Sequence, residues 1–351
     1  MISPDFWRGK RVFITGHTGF KGSWLCKLLL ALGAEATGYA LAPNTDPSLW
    51  DICGLDAKVE SHIGDIRDIG KLRSAFAAAK PEIVFHLAAQ PLVIESYNVP
   101  RYTYEVNVMG TVNLLECIRA ADCVKSFVNV TTDKVYLNRE SGEDYREDEE
   151  LNGYDPYSNS KSCSELVTSS YINSFFRDKN KIPVSTARSG NVIGGGDFAE
   201  NRIIPDCAKE TAAGKPIGIR NPSSVRPYQF VLDTLTAYLS IAEKQFANPE
   251  LAGAYNIAPD AAANNGALAT LFCDAWGNGA SWKHTSAEQP HEAKLLGLNC
   301  DKIKSALGWQ PRYGIAQAVA LSAEWYREHY SGGNANVIMR QQIQECISDG
   351  K

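Results

Sequence analysis

Short, almost unbroken apolar runs alternate with longer amphipathic stretches through the first half of the chain. Residues 11-RVFIT-15 form the first run, and 23-SWLCKLLLALG-33 is an apolar-rich helical segment closed by Gly33. Further strands are predicted near Glu35–Leu41 and Lys58–Ile63, at 82-EIVFHLAA-89, at 126-SFVNV-130 and at 183-PVSTAR-188. Helices are predicted at Ile69–Ala79, from about Arg101 to Ala121 and from Tyr157 to about Arg177. The strands read as continuous apolar runs rather than as alternating ones. That is the pattern of strands covered on both faces. Strand and helix in turn predict an α/β, doubly wound parallel sheet with right-handed crossovers.

After Gly190 the pattern changes. Residues 190-GNVIGGGDFAENRIIP-205 are glycine-rich and irregular, and short elements follow without clean alternation. We expect residues 1–190 to form the sheet domain and 191–351 a smaller mixed α/β lobe, with segments free to return to the sheet. The last stretch, Ser331–Lys351, is expected to be partly mobile. No internal repeat or low-complexity tract is evident.

Composition narrows the function class. The chain has 351 residues, 44% of them apolar, enough for a packed core. A net charge of −5 gives no basis for nucleic-acid or anionic-membrane binding. The longest apolar runs fall far short of the ~20 residues a membrane helix needs. No secretory signal pattern precedes the first strand. Nine cysteines without a C-x-x-C pair and six dispersed histidines argue for free thiols in a reducing cytoplasm and against a metal site.

Two motifs carry chemistry. The first is 16-GHTGFKG-22, between the first strand and the first helix. Glycines spaced G-x-x-G-x-x-G permit a tight turn, close backbone approach to a pyrophosphate and close helix–strand contact. The following helix offers unpaired N–H groups to phosphates. Glycine triplets also arise in ordinary turns, and the strand-before, helix-after placement is what favours a dinucleotide. The second motif joins 131-TTDKVY-136, at the carboxyl end of a strand, to 157-YSNSK-161, which opens a helix. Tyr157 and Lys161 are four apart and share a helix face. An ammonium beside a phenol favours phenolate, a usable base near neutral pH, and the Thr132 hydroxyl completes a site able to deprotonate an alcohol. Tyr-x-x-x-Lys alone is common; the glycine turn before it gives it weight.

With these residues in hand, the chain resembles the extended short-chain dehydrogenase/reductase family, whose sheet is Rossmann-type. The likeness spans TGHTGFKG, Asp65-Ile66, HLAAQP at 86–91, Asn107, Thr132, Tyr157-x-x-x-Lys161 and RPYQFV at 226–231. Within the family it looks most like the nucleotide-sugar 4,6-dehydratases, and more narrowly the branch acting on CDP-D-glucose. TTDKVY, GNVIGGGDFAENRIIPD and PHEAKLLGLNCDKIKSALGWQPR carry that narrower likeness. The resemblance implies NAD as cofactor, loss of water from a hexose and a place in bacterial deoxysugar and surface-polysaccharide (O-antigen) synthesis. It also implies a cytoplasmic homodimer, or a tetramer, formed through helices 101–121 and 157–177.

Site roles follow from the resemblance. The cofactor is expected on Gly16, His17, Thr18, Gly19, Phe20 and Gly22, on Asp65 and Ile66, on Leu87, Ala88 and Ala89, and on Asn107, Thr131, Tyr157 and Lys161. Lys21 is expected either at the pyrophosphate or facing solvent. Tyr157 is the expected C4 base. Asp133 stands where dehydratases for other nucleotide sugars have an acid. Lys134 stands where they have a glutamate base, and as a base it requires a lowered pKa. Ser96, Asn191, Arg202, Arg226, Tyr228 and His291, with Glu292, are expected around the substrate. Plainer alternatives stand beside several of these. Asp65 could cap a helix starting at Arg67–Gly70, Asn107 could be a surface residue, Ser96 a loop serine and Arg202 a surface ion-pair partner. One departure is visible: the second strand ends Gly38-Tyr39-Ala40-Leu41 without the acid that usually holds the adenosine ribose.

Two other functions compete. A nucleotide-sugar 4-epimerase would share the glycine turn, Thr132, Tyr157 and Lys161 but would not need a pair at 133–134. A non-catalytic NAD-sensing regulator on the same fold would not need the Tyr-Lys pair.

Overall fold

The computed structural model describes residues 2–139, 142–177, 182–285 and 297–348. Seven strands build the central sheet: β1 (Arg11–Thr15), β2 (Glu35–Ala40), β3 (Glu60–Ile63), β4 (Ile83–His86), β5 (Ser126–Val130), β6 (Val184–Ser189) and β7 (Ala254–Ile257). Their order is β7-β6-β5-β4-β1-β2-β3, and every neighbouring pair is parallel. The doubly wound parallel sheet is therefore present as expected, and β7 from the second half of the chain extends it.

Burial on both faces explains the unbroken apolar runs. Val12 and Ile14 point to one core with Leu25, Leu28, Leu235 and Leu239. Phe13 points to the other, with Leu72, Phe76, Leu115 and Ile118. The first face carries helix α1 (Phe20–Ala31), and the second carries α2 (Ile69–Ala79) and α3 (Gly110–Arg119). Then α4 (Pro156–Tyr171) leads toward β6. After β6 come α5 (Ile203–Ala212) and α6 (Val231–Ala247), and α6 returns to pack on the first face beside α1. Three further long helices are α7 (Asn265–Trp276), α8 (Ile315–Tyr330) and α9 (Ala335–Ser348).

Three two-stranded pairs shape the region beyond the strand ends. Val192–Ile193 lies parallel to Gln229–Phe230, Ile217–Ile219 parallel to Trp282–His284, and Val225–Arg226 antiparallel to Ala263–Asn264. One expectation fails here. The stretch from Ser331 is not loose through residue 348, because α9 buries Met339, Ile343 and Cys346 against the first core.

The sheet order reverses between β1 and β4, whose ends are level, with Thr15 opposite His86. The loops leaving those ends diverge around a crevice, the usual ligand position in an open parallel sheet.

Candidate active site

The turn after β1 is fixed by backbone crowding. Gly16 has a φ of +77°, and a side-chain carbon there would lie 2.7 Å from the Ala88 backbone nitrogen. At Gly22 it would collide with the Gly16 carbonyl oxygen. Glycines at both places let the loop after β1, the loop after β4 and the start of α1 close on one another. Gly19 precedes α1 with no side chain capping the first turn, so the helix start remains open to an anion. Thr18 donates to the Leu41 carbonyl at 2.8 Å and ties this turn to the end of β2. Phe20 lines the crevice, and Leu87 and Ala88 stand against Gly16.

His17 turns away from that cradle. Its ring is buried, 2.7 Å from the Ser61 hydroxyl and edge-on to Trp50. Burial lowers its pKa to about 4, so it is neutral. A side chain at Gly38 would overlap this imidazole, which explains the glycine in β2. Lys21 is half-buried in the crevice with Nζ 3.5 Å from the Tyr238 hydroxyl. Burial lowers its pKa to about 7, and Lys161 and Arg202 add to the effect.

Asp65 and Asn107 resolve two of the plainer alternatives. Asp65 grips Arg67 through its side chain at 2.7 Å and its backbone N–H at 2.9 Å. The cap of α2 is Asp68, which accepts from Lys71 N–H at 3.1 Å, so Asp65 does not serve as the helix cap. Ile66 is buried beneath Gly110. Asn107 is buried rather than at the surface. It sits in a π-turn at Glu105–Met109, accepts from Gln90 N–H at 2.8 Å and donates to Ser160 Oγ at 2.9 Å. It thereby ties the loop after β4 to α4.

The catalytic candidates meet at the end of β5. Thr132 caps a single 3₁₀ turn, Asp133–Val135, and donates to Asp133 Oδ1 at 2.8 Å. Lys134 Nζ reaches the same oxygen at 3.0 Å. Asp133 is 1% exposed, and its Oδ2 has no hydrogen-bond partner among the described residues. Thr131, Thr132, Asp133, Lys134 and Tyr157 all line one cavity of about 480 Å³. Tyr157 opens α4 behind the Asp155 cap and Pro156. Lys161, one turn on, is buried and donates to the Val130 carbonyl at 3.0 Å.

The electrostatics depart from expectation at two residues. Burial raises the Tyr157 pKa; the main opposing charge is Lys134, followed by a hydrogen bond with Thr132 and the Arg202 charge. The sequence points to Lys161 beside the phenol; the cation that most opposes burial there is Lys134. Burial lowers Lys161 to about 8, with Glu165 opposing. Lys134 itself was expected to need a lowered pKa. Burial does push it down, but Asp133 and Tyr157 outweigh burial and hold it above the ordinary lysine value.

The substrate candidates divide. Asn191, Arg202, Arg226 and Tyr228 line the same cavity. Arg202 is also an ion-pair partner of Asp197 at 2.9 Å, and the Tyr228 hydroxyl donates to Asn265 Oδ1 at 2.6 Å. Ser96 does not join them. It is fully buried and donates to the Val93 carbonyl at 2.6 Å, while Leu92–Glu95 line the wall in its place. Ala89 is half-buried beyond Ala88 in the loop after β4. His291 and Glu292 lie outside the described residues.

Glu165 was not anticipated. It stands eight residues after Tyr157 on the same face of α4. It accepts from Thr131 Oγ1 at 2.5 Å and pairs with Arg188 through both oxygens at 3.0 and 2.9 Å. Arg188 also donates to the Tyr136 hydroxyl at 2.8 Å. This buried cluster locks α4, the end of β5 and the end of β6 together. The only sequence signal was the i, i+4, i+8 spacing of Tyr157, Lys161 and Glu165.

Comparison with known proteins agrees with this geometry. The chain is 45% identical to CDP-glucose 4,6-dehydratase of Salmonella typhimurium over 99% of both chains. It is 27% identical to UDP-glucose 4-epimerase 3 of Oryza sativa subsp. japonica over 93% of this chain and 92% of that one. A Streptomyces venezuelae dTDP-glucose 4,6-dehydratase, solved with NAD and TYD bound, superposes with a TM-score of 0.77 at 25% identity, covering 92% of this chain and 98% of that one. The model of the GDP-mannose 4,6 dehydratase family matches residues 13–321. With that match running from β1 into α8, the chain belongs to the GDP-mannose 4,6 dehydratase family.

Proposed function

We propose that the protein is an NAD-dependent hydro-lyase, a CDP-D-glucose 4,6-dehydratase, converting CDP-D-glucose to CDP-4-dehydro-6-deoxy-D-glucose and water. The observation that carries this reading is the Thr132-Asp133-Lys134 turn placed against Tyr157 in one cavity beside the glycine turn. Full-length similarity to a CDP-glucose 4,6-dehydratase supports the substrate. An epimerase needs no acid–base pair on that turn, and the buried Asp133–Lys134 contact weighs against it.

The residues fit NAD. The uncapped start of α1 suits a pyrophosphate, and Gly16 and Gly22 let the turn close tightly in front of it. Thr18, Phe20, Asp65, Ile66, Leu87, Ala88 and Ala89 are the further contacts we assign to it. When bound, NAD supplies a hydride acceptor for C4 and a hydride donor for C6.

The chain's own residues handle the protons. Tyr157, with Thr132 beside it, takes the C4 hydroxyl proton. A ketone at C4 then makes H5 acidic. For the elimination, a proton passes from Lys134 Nζ to Asp133 Oδ1 across their 3.0 Å contact. The charged pair becomes a neutral amine and a carboxylic acid. With Tyr157 holding the C4 proton, loss of the Asp133 charge removes the second influence that raised Lys134, and burial then favours the amine. Lys134 removes H5 while Asp133 protonates the departing C6 hydroxyl. Arg202 and Arg226 face the diphosphate, to which a guanidinium fork presents two donors.

Oligomer and setting complete the reading. Met109, Leu166 and Phe175 are large apolar residues exposed on the segments containing α3 and α4, the surface we assign to a homodimer. No described helix is long and apolar enough to cross a membrane. We place the enzyme in the cytoplasm, early in deoxysugar synthesis for surface polysaccharide. Turnover of CDP-D-glucose in deuterated water tests the elimination. One solvent deuteron at C5 of a 4-keto-6-deoxy product supports it, and a product that keeps its C6 hydroxyl overturns it.

A further inference from the structure

We propose that Asp206 reads the base of the substrate nucleotide, accepting a hydrogen bond from the exocyclic amine of cytosine and disfavouring bases that carry an oxygen there. The inference rests on the dehydratase reading and adds the origin of its base preference.

Arg202 and Asp206 stand at the start of α5. Arg202 precedes the helix, and its carbonyl accepts from Asp206 N–H at 3.0 Å, so the two residues are one turn apart along the same wall. Both line the cavity. Arg202 faces the catalytic end, where its charge acts on Tyr157 and Lys21. Asp206 is instead influenced by Arg220, which follows the Ile217–Ile219 strand. The cavity therefore has a sugar-and-phosphate station near Arg202 and a second station around Asp206. Ile203, Ile204, Gly218 and Ile219 line the cavity with it, as do the polar Arg220 and Asn221.

Asp206 is the carboxylate placed beside these residues. It is half-buried, and no described residue donates a hydrogen bond to its carboxylate. The Arg220 guanidinium is directed to Asn201 Oδ1 at 3.3 Å. A partly buried carboxylate without donors is costly, and a ligand that brings a donor removes that cost. Burial raises its pKa to about 6, with Arg220 and Lys209 opposing. At neutral pH it is mainly ionised and accepts only. Cytosine presents an amine at position 4, whereas thymine presents an acceptor oxygen there, as does uracil. A fixed carboxylate attracts the first and repels the others.

The test is calorimetric titration of the full-length, NAD-loaded protein with CDP, UDP and dTDP, for the native chain, Asp206→Asn and Asp206→Ser. Turnover of the three nucleotide-glucoses is measured alongside. The native protein should bind CDP at least about tenfold more tightly than UDP or dTDP. An amide both donates and accepts, so Asp206→Asn should shrink that ratio by about tenfold or more, chiefly by improving UDP and dTDP. Asp206→Ser, which removes the charge and most of the reach, should shrink it by weakening CDP. Thermal melts identify a variant that fails to fold, and the other variant then decides. An unchanged CDP-to-UDP ratio in a folded variant overturns the assignment, as does a native protein that does not discriminate. Because the ratio is read from nucleotide binding, it stands apart from the dehydratase reading, which fails if CDP-D-glucose gives no 4-keto-6-deoxy product.

Discussion

The turn after β1 and the turn after β5 leave the same edge of the sheet, yet they are held in different ways. The first is held by what is missing: Gly16 and Gly22 lack the side chains that would collide with Ala88 and with the Gly16 carbonyl. The second is held by what is present. Thr131 is bonded to Glu165, Lys134 to Asp133, and the Ser162 hydroxyl to the Val135 carbonyl at 2.7 Å. A cradle made of backbone suits a cofactor recognised by its phosphates. A turn made of buried charged side chains suits proton transfer, because burial and neighbouring charge set which group holds the proton.

The largest expected effect falls on the charged side. Tyr157→Phe should lower kcat by about 10³-fold or more, in line with loss of a positioned acid–base group. NAD binding, followed by fluorescence titration, should be nearly unchanged. If NAD binding falls with kcat, the division between the two turns breaks down. Asp133→Asn should slow water loss by about 10²-fold while C4 oxidation continues. Reduced cofactor should then accumulate in a single turnover, and an enzyme with native turnover would remove Asp133 from the mechanism.

On the backbone side, Gly22→Ala should weaken NAD binding by about tenfold or more and lower the melting temperature, because the methyl group collides with the Gly16 carbonyl. Its effect on a bound substrate's elimination step should be small. The smallest effect concerns Lys21, whose folded pKa of about 7 lies below the unfolded lysine value. Between about pH 7 and pH 10 the unfolded chain holds the extra proton, so this residue's contribution to stability rises with pH. The stability difference between the native protein without cofactor and Lys21→Met should therefore shift in favour of the native residue as pH increases. A shift in the opposite direction would place the ammonium in a charge-stabilised site.

The same contrast explains what was legible in the sequence. The glycine turn is a local steric demand, so its spacing alone placed it between β1 and α1. The sheet was legible because strands buried on both faces leave continuous apolar runs. The sharing of one helix by Tyr157 and Lys161 was also legible. Which cation most opposes burial at the phenol was not, because Lys134 approaches from a different element. Glu165 and Arg188, 23 residues apart, meet only once α4 and β6 are packed. The helix cap went to Asp68 rather than Asp65, since only the geometry of the turn distinguishes two nearby aspartates. His17 sits in the glycine motif but packs under Gly38, a contact across two strands that spacing does not encode. The order of α9 was missed because its apolar positions, 339, 343 and 346, bury only against a core built from distant segments.

The most direct test of the central claim uses CDP-D-glucose deuterated at C4, with the purified protein and NAD⁺, and NMR of the product. Deuterium at C6 of a 4-keto-6-deoxy sugar is the expected result, since the hydride removed from C4 is returned to C6. Deuterium retained at C4 of an epimerised sugar would contradict the dehydratase reading and make the Asp133–Lys134 turn a structural feature of an epimerase.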